Sequence, residues 1–167
     1  MKNNKNNSYD MKNLNVYLQE NTCINEKLVI THYKPYSCAP ETKEELRNII
    51  EDRLMDDPNV DLNDIDVSNI KDMSELFFRL DPHNIDVSKW DVSNVKDMHA
   101  MFWYCESFKS DLSYWDVSNV TNISYMFDGC YNFNSDLSNW DVSKVEDMRY
   151  MFDDCDSLKK LPKWYVK

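Results

Sequence analysis

The sequence repeats itself with a period of 25 residues, and this period constrains the fold more than any other feature. The motif Asp-Val-Ser-Asn/Lys-Ile/Val occurs four times without an insertion, at Asp66, Asp91, Asp116 and Asp141. It defines four units, 66–90, 91–115, 116–140 and 141–165. One such unit cannot bury its apolar face alone, so we expect neighbouring units to pack against each other.

Apolar residues recur in fixed columns of the repeat. Tryptophan ends the first three units, phenylalanine holds the twelfth position, and cysteine holds the fifteenth position in the last three units. These columns comprise Trp90, Trp115 and Trp140; Phe102, Phe127 and Phe152; and Cys105, Cys130 and Cys155. We predict that they form the structural core, because a column of identical apolar residues meets its own copy in the next unit.

The spacing within a unit predicts its local structure. Positions 5, 8, 11, 12 and 15 are apolar and lie mostly three or four residues apart, which indicates a short helix. The serine at position 3 is a candidate N-cap. At the unit boundary the period changes to two, so Trp115 and Val117 point inward and Asp116 points outward, as in a strand. The predicted fold is an α/β solenoid, a right-handed stack of four units, each with a short strand and a short helix.

The residues before the repeats differ in composition. The Asn- and Lys-rich segment 1–20 is predicted to be disordered, and 21–65 is predicted to be an N-terminal cap. Within this cap, 28–33 is a predicted strand and 42–55 a predicted helix. The apolar face of that helix comprises Leu46, Ile49, Ile50 and Leu54.

Two stretches of the repeat resemble known families. Leu112-x-x-Trp115-x-Val117-x-x-Val120 resembles the core of leucine-rich repeats, without their asparagine. The phrase Trp-Asp-Val-Ser-Asn-Val-x-x-Met-x-x-Met-Phe, which starts at Trp90, resembles the repeat of the bacterial surface-protein and mycoplasma-lipoprotein family, a domain of unknown function related to BspA-like proteins. The segment 41–50 resembles the helix that often precedes the first repeat there. The resemblance covers about 41–165.

The resemblance implies a leucine-rich-repeat-like fold and a role in binding or adhesion at a cell surface or in secreted form. Residues 1–20 have no hydrophobic stretch of the kind that a secretory signal needs, so the sequence itself predicts a cytoplasmic protein. No apolar run approaches the length of a membrane span, and membrane insertion is not expected.

Charge and glycine content exclude several function classes. The net charge of the chain is −11. Residues 1–40 have a net charge of +2, so the rest of the chain has a net charge of −13. Such a body repels nucleic-acid phosphates and favours a basic protein partner. Gly129 is the only glycine, which argues against glycine-rich phosphate loops and dinucleotide-binding motifs. No cofactor is expected.

Aspartates form two rows along the repeat. The first comprises Asp66, Asp91, Asp116 and Asp141; the second comprises Asp86, Asp111 and Asp136. One interpretation is an outward acidic stripe that binds a basic ligand or Ca²⁺. The other is that each carboxylate accepts hydrogen bonds from a nearby backbone turn.

The cysteines and histidines carry weaker signals. The cysteine column could be a metal site or a redox relay, but the absence of a histidine column or a CxxC motif favours buried, small apolar side chains. Cys23 and Cys38 could pair, although a cytoplasmic location disfavours a disulfide. None of His32, His83 and His99 has a partner at a spacing that suggests a catalytic triad.

The sequence therefore predicts a protein–protein interaction module and not an enzyme. The candidate partner-binding face is the acidic extended face. It comprises Asp91, Asp116, Asp141, Lys89, Tyr114 and Asn139. The alternative is a structural or Ca²⁺-binding repeat protein with cations in the Asp rows; a weaker third hypothesis is an acidic mimic of nucleic acid. The oligomeric state and the partner's identity stay open.

Overall fold

The computed structural model describes residues 37–78, 80 and 84–165. The chain divides into two parts, Met1–Lys34 and Pro35–Lys167, and the first part lies outside the described residues. The predicted disordered segment 1–20 and the predicted strand 28–33 both fall in that first part, and they stay predictions.

A single helix, α1, spans Lys43–Asp56 in the described part of the chain. The side chain of Thr42 accepts a hydrogen bond from the backbone N–H of Glu45 at 3.1 Å. The carboxylate of Glu45 in turn accepts from the backbone N–H of Glu41 at 2.9 Å. These two side chains accept hydrogen bonds from N–H groups at the start of α1 that have no backbone acceptor within the helix. The predicted helix, 42–55, is displaced from α1 by one residue at each end.

One face of α1 covers the first repeat unit. Leu46 and Ile50 on this face are fully buried in the hydrophobic core. Beside them, the guanidinium of Arg47 donates to the backbone of the first unit at 2.8–3.2 Å. The acceptors are the carbonyl oxygens of Glu75, Leu76 and Phe78. The helix therefore supplies both apolar area and hydrogen-bond donors to the first unit.

The predicted α/β solenoid of the leucine-rich-repeat kind is wrong. In the described residues of the four units there is no helix, and the parallel pairing consists of isolated bridges in place of strands that form a sheet. Each unit is a succession of turns. The three-residue spacing of apolar positions, interpreted above as helical, arises because consecutive turns of three to four residues also return side chains to the same side.

The turns are hydrogen-bonded in two alternating directions. In the second unit, the N–H groups of Met101, Trp103 and Cys105 donate three residues back, as in turns, at 2.9–3.2 Å. Alternate N–H groups donate to the carbonyl 24 residues ahead, in the next unit, at 2.8–3.0 Å. These donors are Met98, Ala100, Phe102 and Tyr104. The backbone is thus satisfied partly within a unit and partly by its neighbour, which a helix would not allow.

Two positions of the repeat adopt left-handed backbone conformations wherever the structure describes them. The tenth position has φ of 51–58° and the fourteenth has φ of 55–73° in each described copy. The tenth position is held by Glu75, Ala100, Tyr125 and Tyr150; the fourteenth is held by Tyr104, Gly129 and Asp154. L-residues other than glycine rarely adopt this conformation, which breaks a right-handed helix.

The core runs through all four units. The predicted aromatic columns lie in it: three tryptophans at 4% exposure and three phenylalanines at 0–6%. They are Trp90, Trp115, Trp140, Phe102, Phe127 and Phe152. Rings in successive units stack, with centroids of Phe102 and Phe127 5.7 Å apart. Each indole N–H also donates to a backbone carbonyl 28 residues earlier; for Trp115 the acceptor is Val87 at 3.1 Å.

Candidate interaction surfaces

Three acidic rows, not two, run along the repeat. In each row the side-chain Oδ1 accepts the backbone N–H of the residue two positions later, at 2.8–3.2 Å. Besides the two rows found in the sequence, a third at position 7 comprises Asp72, Asp97, Asn122 and Asp147. The carboxylates therefore hold the turns, as the second interpretation of the rows expected.

The candidate partner-binding face lies on the surface. Asp91, Asp116 and Asp141 are exposed although they hold turns. Lys89, Tyr114 and Asn139 are also exposed, and each directly precedes a tryptophan of the core column. Tyr114 is 89% exposed. The face therefore has a constant acidic column and a variable column beside it.

Hydrogen bonding lowers the pKa of some of the carboxylates in the rows. Bonds from the hydroxyl and backbone N–H of Ser143 lower the pKa of Asp141, and Ser138 does the same for Asp136. In the third row, the bond from Arg149 lowers the pKa of Asp147 to about 2. These groups carry full negative charge at neutral pH, in the form that a basic partner would contact.

The acidic rows do not converge. Among the described residues, no three His, Cys, Asp or Glu side chains come together as a metal ion would require. One Oδ1 per carboxylate is already used by the turn, and Ca²⁺ takes six to eight oxygen ligands. The geometry of the rows therefore offers little to the Ca²⁺-binding alternative.

The cysteine column consists of thiols that are hydrogen-bonded to backbone. The Sγ atoms of Cys105, Cys130 and Cys155 lie 3.0–3.5 Å from backbone carbonyl oxygens 28 residues earlier. Cys105 and Cys130 are fully buried, and Cys155 is half-buried. Burial raises the pKa of Cys130 far above its usual range, and it raises that of Cys155 to about 12. Protonated thiols are poor nucleophiles and poor metal ligands, as expected for side chains that fill the core.

The structure brings together one histidine and one serine that sequence spacing did not connect. His99 Nδ1 lies 2.9 Å from Ser124 Oγ, because the two residues are one period apart. Ser124 is buried, and its hydroxyl is also 2.7 Å from Asn122 Oδ1. A substrate could not reach this hydroxyl, so the pair fits a role in linking two units. His32 and His83 lie outside the described residues.

A continuous run of aromatic rings crosses the surface of the four units. We call it the aromatic strip, and it comprises Phe78, Trp103, Tyr104, Tyr125 and Tyr150. Ring centroids are 4.9 Å apart for Phe78 and Trp103, 5.9 Å for Trp103 and Tyr125, and 4.9 Å for Tyr125 and Tyr150. Tyr104 joins Trp103 at 5.5 Å.

The sequence held a signal for this strip. Trp103, Tyr125 and Tyr150 occupy positions of the unit that are outside the core columns, where polar residues are the expectation. Tyr104 and Tyr150 are about half exposed, at 48% and 49%. Large aromatic side chains at outward positions are a frequent feature of binding surfaces.

Carboxylates border the aromatic strip. Asp128 Oδ2 accepts the indole N–H of Trp103 at 3.1 Å, which fixes the orientation of that ring. Partial burial, together with the negative charges of Asp153 and Asp154, raises the pKa of Asp128. These three acids therefore lie close enough to repel one another at the edge of the strip.

Comparison with known families places the repeats. Residues 45–164 match the model of a family described as Mycoplasma protein of unknown function, DUF285. The chain belongs to this family. No curated protein and no solved structure matches it.

The DUF285 match begins inside α1 and ends at Trp164, so it spans the covering helix together with the four repeats. The expected mycoplasma-type family of unknown function is thereby confirmed at this level. Among the described residues of this DUF285 member, the helix present is too short and too polar to cross a membrane.

Proposed function

We propose that the chain is a non-enzymatic protein–protein interaction module whose acidic extended face contacts a partner. The observation that supports this is the regular exposure of one carboxylate of this row in each of the last three units, at Asp91, Asp116 and Asp141, each held by the same turn. A row of fixed charges needs little ordering when a partner binds, which lowers the entropic cost of association.

The neighbouring column supplies a means of specificity. Lys89, Tyr114 and Asn139 occupy equivalent positions but differ in charge, size and hydrogen-bonding capacity. A partner with basic groups spaced to meet the carboxylates would also have to fit these three side chains. This combination fits the binding and adhesion role implied by the resemblance to bacterial surface-protein repeats.

Charge removal without loss of the turns tests the proposal. Asn122 holds its turn through the amide Oδ1, at 3.1 Å from the N–H of Ser124, as its aspartate counterparts do. The triple variant Asp91→Asn, Asp116→Asn and Asp141→Asn should therefore fold normally. In cross-linking from host extract followed by mass spectrometry, we expect a partner captured by the native protein to be lost from this variant.

The control is the second acidic row. Asp111→Asn with Asp136→Asn also removes charges from held turns, but outside the proposed face. It should keep the partner. Retention of the partner by the triple variant, at native thermal stability, would show that the face is not the contact surface.

A further inference from the structure

The aromatic strip is a second candidate surface, distinct from the acidic face. Its rings are in mutual contact across all four units, so they form one surface and not scattered exposed side chains. Two of them, Tyr104 and Tyr150, present about half of their area to solvent. The exposed faces of these two rings can recognise flat or cationic groups.

The turns of the repeat and close packing hold the rings of the strip in place. Tyr104, Tyr125 and Tyr150 have φ between 57° and 58°, a conformation that costs an L-residue other than glycine about 1–2 kcal/mol. The ring of Tyr104 also lies over Gly129, where a Cβ would approach its Cδ1 to 2.6 Å. Glu75, Ala100 and Asp154 share this conformation at equivalent positions, so it belongs to the turns of the repeat, and the tyrosines are held on a backbone that the repeat already fixes.

The charges around the strip indicate what it would bind. Asp128, Asp153 and Asp154 act on one another with like charge at its edge. Another exposed ring, that of Tyr131, is close enough to Glu106, Asp154 and Asp156 to feel their negative charges. An anionic ligand would be repelled here, whereas a cation over a ring would be attracted by the π-face and by the carboxylates together.

We propose that the aromatic strip binds an arginine- or lysine-bearing peptide segment of a partner protein, with the cationic groups over the exposed rings of Tyr104 and Tyr150 and beside Asp128 and Asp154. The proposal is independent of the acidic face, because it concerns other residues. Guanidinium groups fit the site best, since they stack flat on aromatic rings and can donate two parallel hydrogen bonds to one carboxylate.

Peptide binding to the full chain tests the proposal. The probe is a fluorescein-labelled peptide of alternating arginine and serine, and its neutral counterpart has glutamine in place of arginine. Fluorescence anisotropy at low salt should show binding of the arginine peptide and much weaker binding of the glutamine peptide. Equal binding of both, or no binding of the arginine peptide, overturns the proposal.

Single substitutions locate the site. Tyr104→Ala and Tyr150→Ala should each weaken binding by about 2- to 30-fold, the range that corresponds to loss of one cation–π contact. Asp128→Asn keeps an acceptor for the Trp103 indole but removes the charge, so it should weaken binding and make it less dependent on salt. Thermal melting checks that each variant is folded; Tyr150 is half exposed and its removal leaves the core intact.

Two further variants make the outcome specific. Met55→Ala removes a 79% exposed side chain from α1, away from the strip, and should bind as the native protein does. Tyr114→Ala distinguishes the two surfaces. If binding falls in Tyr114→Ala and stays native in Tyr104→Ala and Tyr150→Ala, the peptide binds the acidic face, which supports the proposed function and overturns this inference.

Discussion

The second and third repeat units share their columns with the fourth unit but differ from it in burial. Val92 and Val117 are 1% exposed, whereas the equivalent Val142 is half-buried. Cys105 and Cys130 are fully buried, whereas Cys155 is half-buried. The valines and cysteines compared are identical in the three units, so the difference in burial comes from the neighbouring units. A central unit is covered on both sides, and the fourth unit is covered on one side by described residues.

The first unit also has a repeat on one side only, yet several of its apolar residues are almost fully buried. Its Val67, Ile70 and Met73 are at most 2% exposed, although no repeat precedes them. Helix α1 takes the place of a preceding unit, through Leu46 and Ile50. Burial in this chain is therefore a property of pairs of adjacent layers, as expected when each repeat contacts only its neighbours.

The largest effect is expected from a central tryptophan. Trp115→Ala removes a 4% exposed ring and leaves the carbonyl of Val87 without its indole donor, so the free energy of unfolding should fall by about 3–5 kcal/mol. Trp164→Ala, in the fourth unit, should cost clearly less because its ring is half-buried. Thermal or urea unfolding measures both, and equal losses would contradict the comparison.

Removal of the covering helix face should have the next largest effect. Ile50→Ala should lower the free energy of unfolding by about 2–4 kcal/mol, because it opens a cavity between α1 and the first unit. Met55→Ala on the exposed side of the same helix is the matched control and should change it by less than about 0.5 kcal/mol. A small effect of Ile50→Ala would mean that the first unit is stable without α1.

A valine pair tests the comparison most directly. Val117→Ala and Val142→Ala are the same change in the same column, so they differ only in surroundings. The first should cost about 2 kcal/mol, from the apolar groups removed and the cavity left, and the second less than about half of that. Urea unfolding measures both costs; if they coincide, the fourth unit is as well covered as the third.

The smallest effects should come from the left-handed positions. Gly129→Ala introduces a Cβ against Tyr104 at φ 73° and should cost about 1–2 kcal/mol. Asp154→Gly changes the equivalent position of the fourth unit, at φ 55°, and should stabilise by up to about 1 kcal/mol, since glycine adopts this conformation readily. Opposite signs in calorimetric melting are the expected result. A shift of the same sign in both variants would show that backbone conformation does not decide this column.

The period and the core columns were readable from the sequence, because identical residues at a fixed interval can only be buried by stacking on their copies. The turns were not. An apolar residue every third or fourth position is common to a helix and to a chain of turns, and the left-handed residues that distinguish the two are mostly tyrosine, glutamate or alanine. Gly129 was the one sequence signal for a left-handed residue. It was informative because it marks the fourteenth position of the repeat, which is left-handed in the other described copies as well.

The fourth unit contains a register change that columns alone could not reveal. Tyr165 stands where the tryptophan column predicts an indole, but Trp164, one residue earlier, donates its N–H to the carbonyl of Leu137 at 2.9 Å. Its ring is 6.4 Å from that of Trp140 and nearly parallel to it. The side chain reached the same acceptor from a neighbouring position, because the interaction depends on the indole and not on residue number. Of the candidate surfaces, the acidic rows could be predicted from the sequence. Prediction of the aromatic strip would have required knowledge of which turns of neighbouring units lie side by side.

The hydrogen bonds that join residues 24 to 28 positions apart also determine how the chain can fold. Every contact between units closes a loop of about the same length, whichever unit is considered, so the entropy lost at each step does not grow as units are added. A helix can form early because its hydrogen bonds are local. Once α1 is present, we expect the first unit to condense on it and the others to follow in order, so that folding proceeds as directional growth from one end.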